Sequence, residues 1–206
     1  KENHFAMNLL FKPVLAFFSS YLVLSFSPTS DPETSVEISK TVKSGPKIQA
    51  AILLDVSNSM DGLIEQAKAQ LWTMVNVMGK AKCNGEAPQI EIALYEYGRA
   101  SNDLLKGYVK QITPFTSDLD DLSQKLFQLT TNGGQEYCGY VIHSSLNELN
   151  WDTTSSNYKV IFISGNEDFL QGNVSYTLAC TEAKKKGVIV NTIYCGDRLQ
   201  GIKEHW

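Results

Sequence analysis

Apolar and polar positions along the chain follow two rhythms. Ile48 to Val56 is a near-continuous apolar run, the pattern of a strand covered on both faces. From Asp61 to Lys80 the spacing becomes helical, with Leu63, Ala67, Leu71, Met74, Val75 and Met78 on one face. Ile90 to Tyr97 predicts a second strand. Tyr108 to Ile112 predicts a weaker third, able to pair with the second as a hairpin. Ser117 suits the cap of a helix whose stripe is Leu119, Leu122, Leu126 and Leu129. Thr130 to Gly134 is a loop, followed by a helix turning Ile142, Leu146 and Leu149 inward. Lys159 to Ser164 predicts a buried strand. Tyr176 to Lys186 predicts a helix ended by Gly187, and Val188 to Tyr194 a last strand. Strands alternating with helices imply an α/β fold, a doubly wound and mostly parallel sheet of Rossmann-like type. The sequence reaches Trp206 soon after the last strand. A closing strand and helix are therefore expected to be missing, leaving an unpaired sheet edge.

Ahead of these elements the pattern changes. From Met7, Lys12 is followed by an apolar run from Val14 to Phe26 and then by Pro28, Ser30 and Asp31. The run is short for a membrane span of about 20 residues and suits an export signal, with an uncleaved anchor as the other reading. The chain thus divides into an export segment at 1–28, a polar linker at 29–46 and a domain at 47–206. Export would place the protein in the periplasm, outside the cell, or on a membrane held only through the N-terminal segment.

Composition narrows the function classes. Hydrophobic residues are 43% of the chain, enough for a packed core. The net charge is −4 with both signs interspersed, and no basic stripe offers nucleic acid its long-range attraction. The run Lys184–Lys186 reads as a solvated helix end meeting the negative pole of the helix dipole. Cys83, Cys138, Cys180 and Cys195 match no zinc spacing. They read as unpaired thiols, although export would permit pairing in any of three connectivities.

The chemistry concentrates where the first strand ends. In open α/β sheets ligands gather at the carboxyl ends of the strands. There the sequence reads ILLDVSNSM, which places Asp55, Ser57 and Ser59 as D-x-S-x-S. Asp55 would leave the strand pointing out of the sheet. The two hydroxyls would follow on the turn into the helix, so that three oxygens converge. Hard oxygen donors with retained waters suit Mg²⁺, or Mn²⁺ or Ca²⁺ in its place. The plain alternative is that these side chains cap the helix.

In this setting the motif resembles the metal-ion-dependent adhesion site (MIDAS) of von Willebrand factor A domains. The resemblance covers roughly Lys47 to Gly196. The chain is also similar to bacterial A-domain proteins with phrases like ALYEYG, GGQEYCG and GNEDFLQG, here at 93–98, 133–139 and 165–172. The family pattern has a Thr ligand before its third helix. Counting back from the helix start puts Glu136 there, and counting forward from Gly133-Gly134 puts Gln135 there; Thr130 and Thr131 would need a different loop path. The family's Asp after the fourth strand falls on Gly165, so that Asn166, Glu167 or Asp168 would have to reach the site. For Asp168 the preferred reading is an exposed loop carboxylate.

The resemblance therefore implies a non-catalytic, protein-binding module for adhesion or assembly. Its variant MIDAS would be formed by Asp55, Ser57, Ser59, Glu136 and Asn166, and its partner-facing residues would be Gln135, Tyr137 and Glu167. Two alternatives stand beside it: a metal-independent scaffold with a vestigial site, and a hydrolase or phosphotransferase using Asp55 as nucleophile. Enzyme candidates elsewhere have bland readings. His143 is a lone helical histidine, and Cys138, near a helix start, has no evident base. Tyr95, Tyr97 and Tyr137 line either the upper surface or the edge of the core.

Overall fold

The structure is a computed structural model that describes residues 45–82 and 85–206. The export pattern, Cys83 and all but the last two residues of the 29–46 linker lie outside the described residues.

Five strands form one sheet in the order β3-β2-β1-β4-β5. They are β1 (Lys47–Asp55), β2 (Gln89–Tyr97), β3 (Lys110–Thr116), β4 (Tyr158–Gly165) and β5 (Ile189–Tyr194). β1 pairs in parallel with β2 and β4, and β4 in parallel with β5, while β3 runs antiparallel to β2 through a bulged register. The sheet is thus mostly parallel, as the alternating pattern predicts, with the expected hairpin at one edge. β5 forms the other edge among the described strands, beside a groove of about 400 Å³ between it and the first helix, lined by Leu63, Ala67, Leu71, Ile193 and Cys195.

Helices cover both faces. On one face, α1 (Ile64–Gly79) and α2 (Leu119–Gln128) pack Leu71, Val75, Leu122 and Leu126 against Ile52, Leu54, Ile92 and Leu94. On the other, α3 (Cys138–Glu148) and α4 (Tyr176–Lys185) pack Val141, Ile142, Leu146 and Ala179 against Leu53, Ala93, Tyr95 and Ile163. This burial on both faces explains the unbroken apolar run of β1, which is buried from Ile48 onward. A fifth helix, α5 (Arg198–Lys203), follows β5.

Several local expectations change. The helix expected from Asp61 begins at Ile64, after a 3-10 turn at Asn58–Met60. Its buried stripe includes Ile64 and Lys68, whereas Met74 and Met78 are only partly buried. Lys68 reaches Glu65 at 2.6 Å and the carbonyl of Phe127 at 3.2 Å, which satisfies its ammonium and ties α1 to the end of α2. α2 is capped by Asp118, whose carboxylate accepts from the Asp121 N–H at 3.0 Å, and not by Ser117. A carboxylate one residue nearer the helix meets the free N–H groups directly and favours the positive end of the dipole. The third strand starts at Lys110, two residues later than expected, because Gly107 and Tyr108 both take left-handed φ (60° and 57°) in the turn before it. Gly187, with φ 65°, follows α4 as its sequence position suggests.

Candidate metal-binding site at the tips of the central strands

β1 and β4 are neighbours whose chains leave the sheet toward helices on opposite faces, and the crevice between their carboxyl ends holds the site. Asp55 is the last residue of β1 and is fully buried. Its Oδ1 accepts from the Ser57 N–H at 2.8 Å, which folds the following turn back on the carboxylate. Its Oδ2 is buried without a hydrogen-bond partner. Ser57 Oγ lies 2.9 Å from Ser59 Oγ. Ser59 Oγ donates to Asn166 Oδ1 at 2.8 Å, and Asn166 Nδ2 donates to the Ser59 carbonyl at 2.9 Å. The two serines do not cap the 3-10 turn, whose N-cap Ser57 makes no side-chain capping bond. The three oxygens of D-x-S-x-S therefore converge, and the β4–α4 loop supplies Asn166 to them.

Glu136, not Gln135, turns toward this cluster. Glu136 is 7% exposed, and its Cγ flanks Gly98 together with Asp55 Oδ1 and Ser57 Cβ. Gln135 faces outward and hydrogen-bonds the Tyr137 hydroxyl. Thr130 and Thr131 lie elsewhere: the Thr130 carbonyl accepts from Arg99, and Thr131 donates to Asp61. The loop is held by Asn132 N–H donating to the Val56 carbonyl at 2.8 Å.

Gly98 and Gly165 make the crowding possible. A Cβ at Gly98 would stand 2.9 Å from Asp55 Oδ1 and 3.2 Å from Glu136 Cγ, and its φ of 81° is a glycine conformation. A Cβ at Gly165 would stand 2.5 Å from the Tyr97 hydroxyl and 2.9 Å from Asp55 Oδ2. The space that an aspartate would need after β4 is thus taken by Tyr97, which is buried and donates to the Ser164 carbonyl at 3.0 Å. Tyr95 is likewise buried in the core; of the three tyrosines weighed for the upper surface, only Tyr137 is partly exposed.

The electrostatics follow from burial. Desolvation pushes the Asp55 carboxyl up to about 6, against the lowering effect of the Ser57 hydrogen bonds. Desolvation, then the charges of Asp55 and Glu167, push Glu136 up to about 7. Burial makes both acids beside Gly98 resist ionisation, the more so for Glu136 because Asp55 is close to it, and a cation held by the two would relieve both. Among the described residues no group of three or more His, Cys, Asp or Glu side chains could hold a metal. The candidate donor set is instead two carboxylates, two hydroxyls and an amide, which is hard-oxygen chemistry of the kind that suits Mg²⁺. The orphaned Asp55 Oδ2 fits that role.

The remaining candidates lie outside the cluster. Asp168 accepts from Leu170 N–H at 2.9 Å and pairs with His205 at 3.1 Å, half exposed as the sequence suggests. Glu167 is partly buried, and its carbonyl accepts from Trp206. His143 pairs with Glu182 at 2.7 Å between α3 and α4. Cys138 lies 3.8 Å from the Tyr97 hydroxyl, its thiol pushed well above the ordinary range by burial. Cys138, Cys180 and Cys195 are free.

No protein-family model and no curated protein sequence matches the chain. Solved structures do. Proximal thread matrix protein 1 from the mussel byssus superposes with a TM-score of 0.57 at 15% identity, covering 72% of this chain and 36% of that one. The same protein with a zinc-occupied MIDAS motif gives 0.55 at 15% identity over 72% and 36% of the two chains. The pilus adhesin SpaC of Lactobacillus rhamnosus GG, in its open conformation, gives 0.52 at 12% identity over 71% and 24%. The chain spans about a third of the mussel protein's length and about a quarter of the adhesin's. These likenesses establish the fold: the sheet and its helices have the von Willebrand factor A-like arrangement.

Proposed function

We propose that this domain is a non-catalytic protein-binding module, exported from the cell, whose binding face is built around a variant MIDAS. Asp55, Ser57, Ser59, Asn166 and Glu136 would hold a divalent cation, with Mg²⁺ favoured by the all-oxygen donor set. A bound cation there would neutralise the buried carboxylates and offer a coordination position to an oxygen of a partner protein. The observation that carries this reading is Asp55 Oδ2, a buried carboxylate oxygen with no hydrogen-bond partner beside hydroxyls that already converge. A buried polar atom left unpaired costs about 1–3 kcal/mol, a penalty that cation binding would remove.

Glu136 gives the site its own character. Where the family pattern has a neutral threonine, this chain brings a second carboxylate. An added negative charge leaves a bound cation less electron-poor, so its pull on an acidic side chain of a partner is weaker. Recognition then depends more on the surrounding surface. Gln135, Tyr137 and Glu167 supply polar contacts there. Leu104, Leu105 and Leu170, at 59%, 87% and 52% exposure, supply apolar ones. A pocket of about 460 Å³ between Leu104, Leu105, Tyr137, Tyr140 and Gly172 adjoins Glu136 through Tyr137.

An enzyme reading finds little support. His143 is engaged by Glu182, and Cys138 contacts a phenol rather than a base. The metal-independent scaffold has one observation in its favour: Ser57, Ser59 and Asn166 already satisfy one another. Calorimetry with Mg²⁺ and Mn²⁺ on wild type and Asp55→Ala separates the readings. Heat from wild type that is lost in Asp55→Ala supports the metal site. No heat from either protein leaves the scaffold.

A further inference from the structure

Asn166 reaches Ser59 from a loop, and the direction of that loop is set by residues far along the chain. Immediately after Asn166, the Glu167 carbonyl accepts from the Trp206 indole N–H at 2.6 Å. Asp168 pairs with His205 at 3.1 Å. Phe169 donates its N–H to the Glu204 carbonyl at 2.9 Å. Three consecutive residues of the loop are thus each held by one of three consecutive residues after α5.

The rings repeat the pattern. Phe169 is 3% exposed and packs edge-on against Trp206 at 4.8 Å and against Tyr176 at 5.5 Å. Trp206 also meets Tyr194 edge-on at 5.9 Å. α5 lies close on that same ring, since a Cβ at Gly201 would stand 2.7 Å from Tyr194 Cγ. His205, with φ 64°, turns the chain so that Trp206 folds back onto the loop. The loop is therefore clamped on one side by the core and on the other by Glu204–Trp206.

We infer that Trp206, with Glu204 and His205, is a positioning device for the candidate metal site: it fixes the Glu167–Phe169 turn and so holds Asn166 against Ser59. This inference rests on the metal-binding reading for its functional consequence, although the clamp itself does not. Among the described residues, no hydrogen bond or ion pair joins Glu204, His205 or Trp206 to the donor cluster directly; their bonds beyond α5 go to the loop at Glu167, Asp168 and Phe169. Loosening the clamp makes Asn166 pay an ordering cost on each binding event, which weakens the site without removing a donor.

Three measurements on the full chain test it. Mn²⁺ binding is followed by electron paramagnetic resonance in wild type, Trp206→Phe and Asp55→Ala. Trp206→Phe keeps an aromatic ring against Phe169 and Tyr194 but removes the N–H donor. It is expected to bind Mn²⁺ about fivefold more weakly, the equivalent of one neutral hydrogen bond. Asp55→Ala is expected to lose binding altogether. Protein labelled with 5-fluorotryptophan is then titrated with Mg²⁺, with the Trp206 resonance assigned by its loss in Trp206→Phe. The Trp206 resonance should move while those of Trp72 and Trp151 stay, a signature that a purely structural role would not give. Unchanged Mn²⁺ affinity in Trp206→Phe, or a still Trp206 resonance in protein that binds Mg²⁺, overturns the inference. If wild type binds neither ion, it is the metal reading that fails, and amide hydrogen exchange decides the clamp. Faster exchange at 166–170 in Trp206→Phe sustains it; equal exchange overturns it.

Discussion

Asp55 carries an electrostatic burden that can be measured apart from any partner. Burial pushes its carboxyl up to about 6 from an ordinary 3.8. The folded value is above the unfolded one. The contribution to stability is therefore fully present below pH ~4 and is lost as pH rises through about 6. Asp55→Asn removes the ionisation, so its stability relative to wild type should improve by on the order of 2 kcal/mol between pH 4 and pH 8. Urea melts in EDTA at the two pH values read the change; a constant difference between the proteins would contradict the burden. Adding Mg²⁺ at pH 8 should then raise the melting temperature of wild type and leave Asp55→Asn unmoved, because only a ligand held by the folded state stabilises it. Gly165 offers a second test. The Tyr97 hydroxyl stands where a Cβ would go, so Gly165→Ala should cost roughly 1–3 kcal/mol. Adding Tyr97→Phe should recover part of that loss in a double-mutant cycle. Additive losses would show that the hydroxyl is not the obstruction.

Between helices, the buried ammonium of Lys68 does what an apolar residue cannot. It fills the α1–α2 contact and satisfies a carbonyl at the end of α2. Lys68→Ala should destabilise by about 3 kcal/mol, and Lys68→Met by less, since Met restores volume but leaves the Phe127 carbonyl unmet. Thermal melts order the two. On the opposite face, Cys138 opens α3 against Tyr97 and is 1% exposed. It should resist alkylation at pH 8 in the folded protein and react once the chain is unfolded in urea, with peptide mass mapping as the readout. The elements themselves were largely legible because both-face burial writes long apolar runs and amphipathic stripes. What was not legible depends on tertiary contacts. Lys68 reads as a surface residue until α2 is placed beside it. α5 is a helix of six residues with no apolar stripe long enough to announce it. Asp118 rather than Ser117 caps α2 because the helix starts at Leu119, one residue later than a Ser117 cap would place it.

Across the whole domain, the doubly wound, mostly parallel sheet was legible in the alternation of strands and helices, and solved structures of the same fold bear this out, whereas the strand order and the crevice between β1 and β4 come from the structure. The local part of the candidate site was equally plain: Asp55, Ser57 and Ser59 fall within five residues at the end of β1. The distant part was not. The sequence left Glu136 and Gln135 open, and only the start of α3 at Cys138 turns Glu136 inward and Gln135 out. Among Asn166, Glu167 and Asp168, only Asn166 reaches the serines, because the residues after it are committed to Glu204–Trp206.

The bond from Ser59 to Asn166 joins positions 107 apart. During synthesis, a chain that has emerged only as far as α3 would present Asp55, both hydroxyls and Glu136 while lacking the wall that β4 provides. If the site holds a cation as proposed, its capture would be a late event, reporting completion of the sheet rather than guiding its assembly. Fragments cut anywhere between the two halves should be unable to bind the ion until they are recombined.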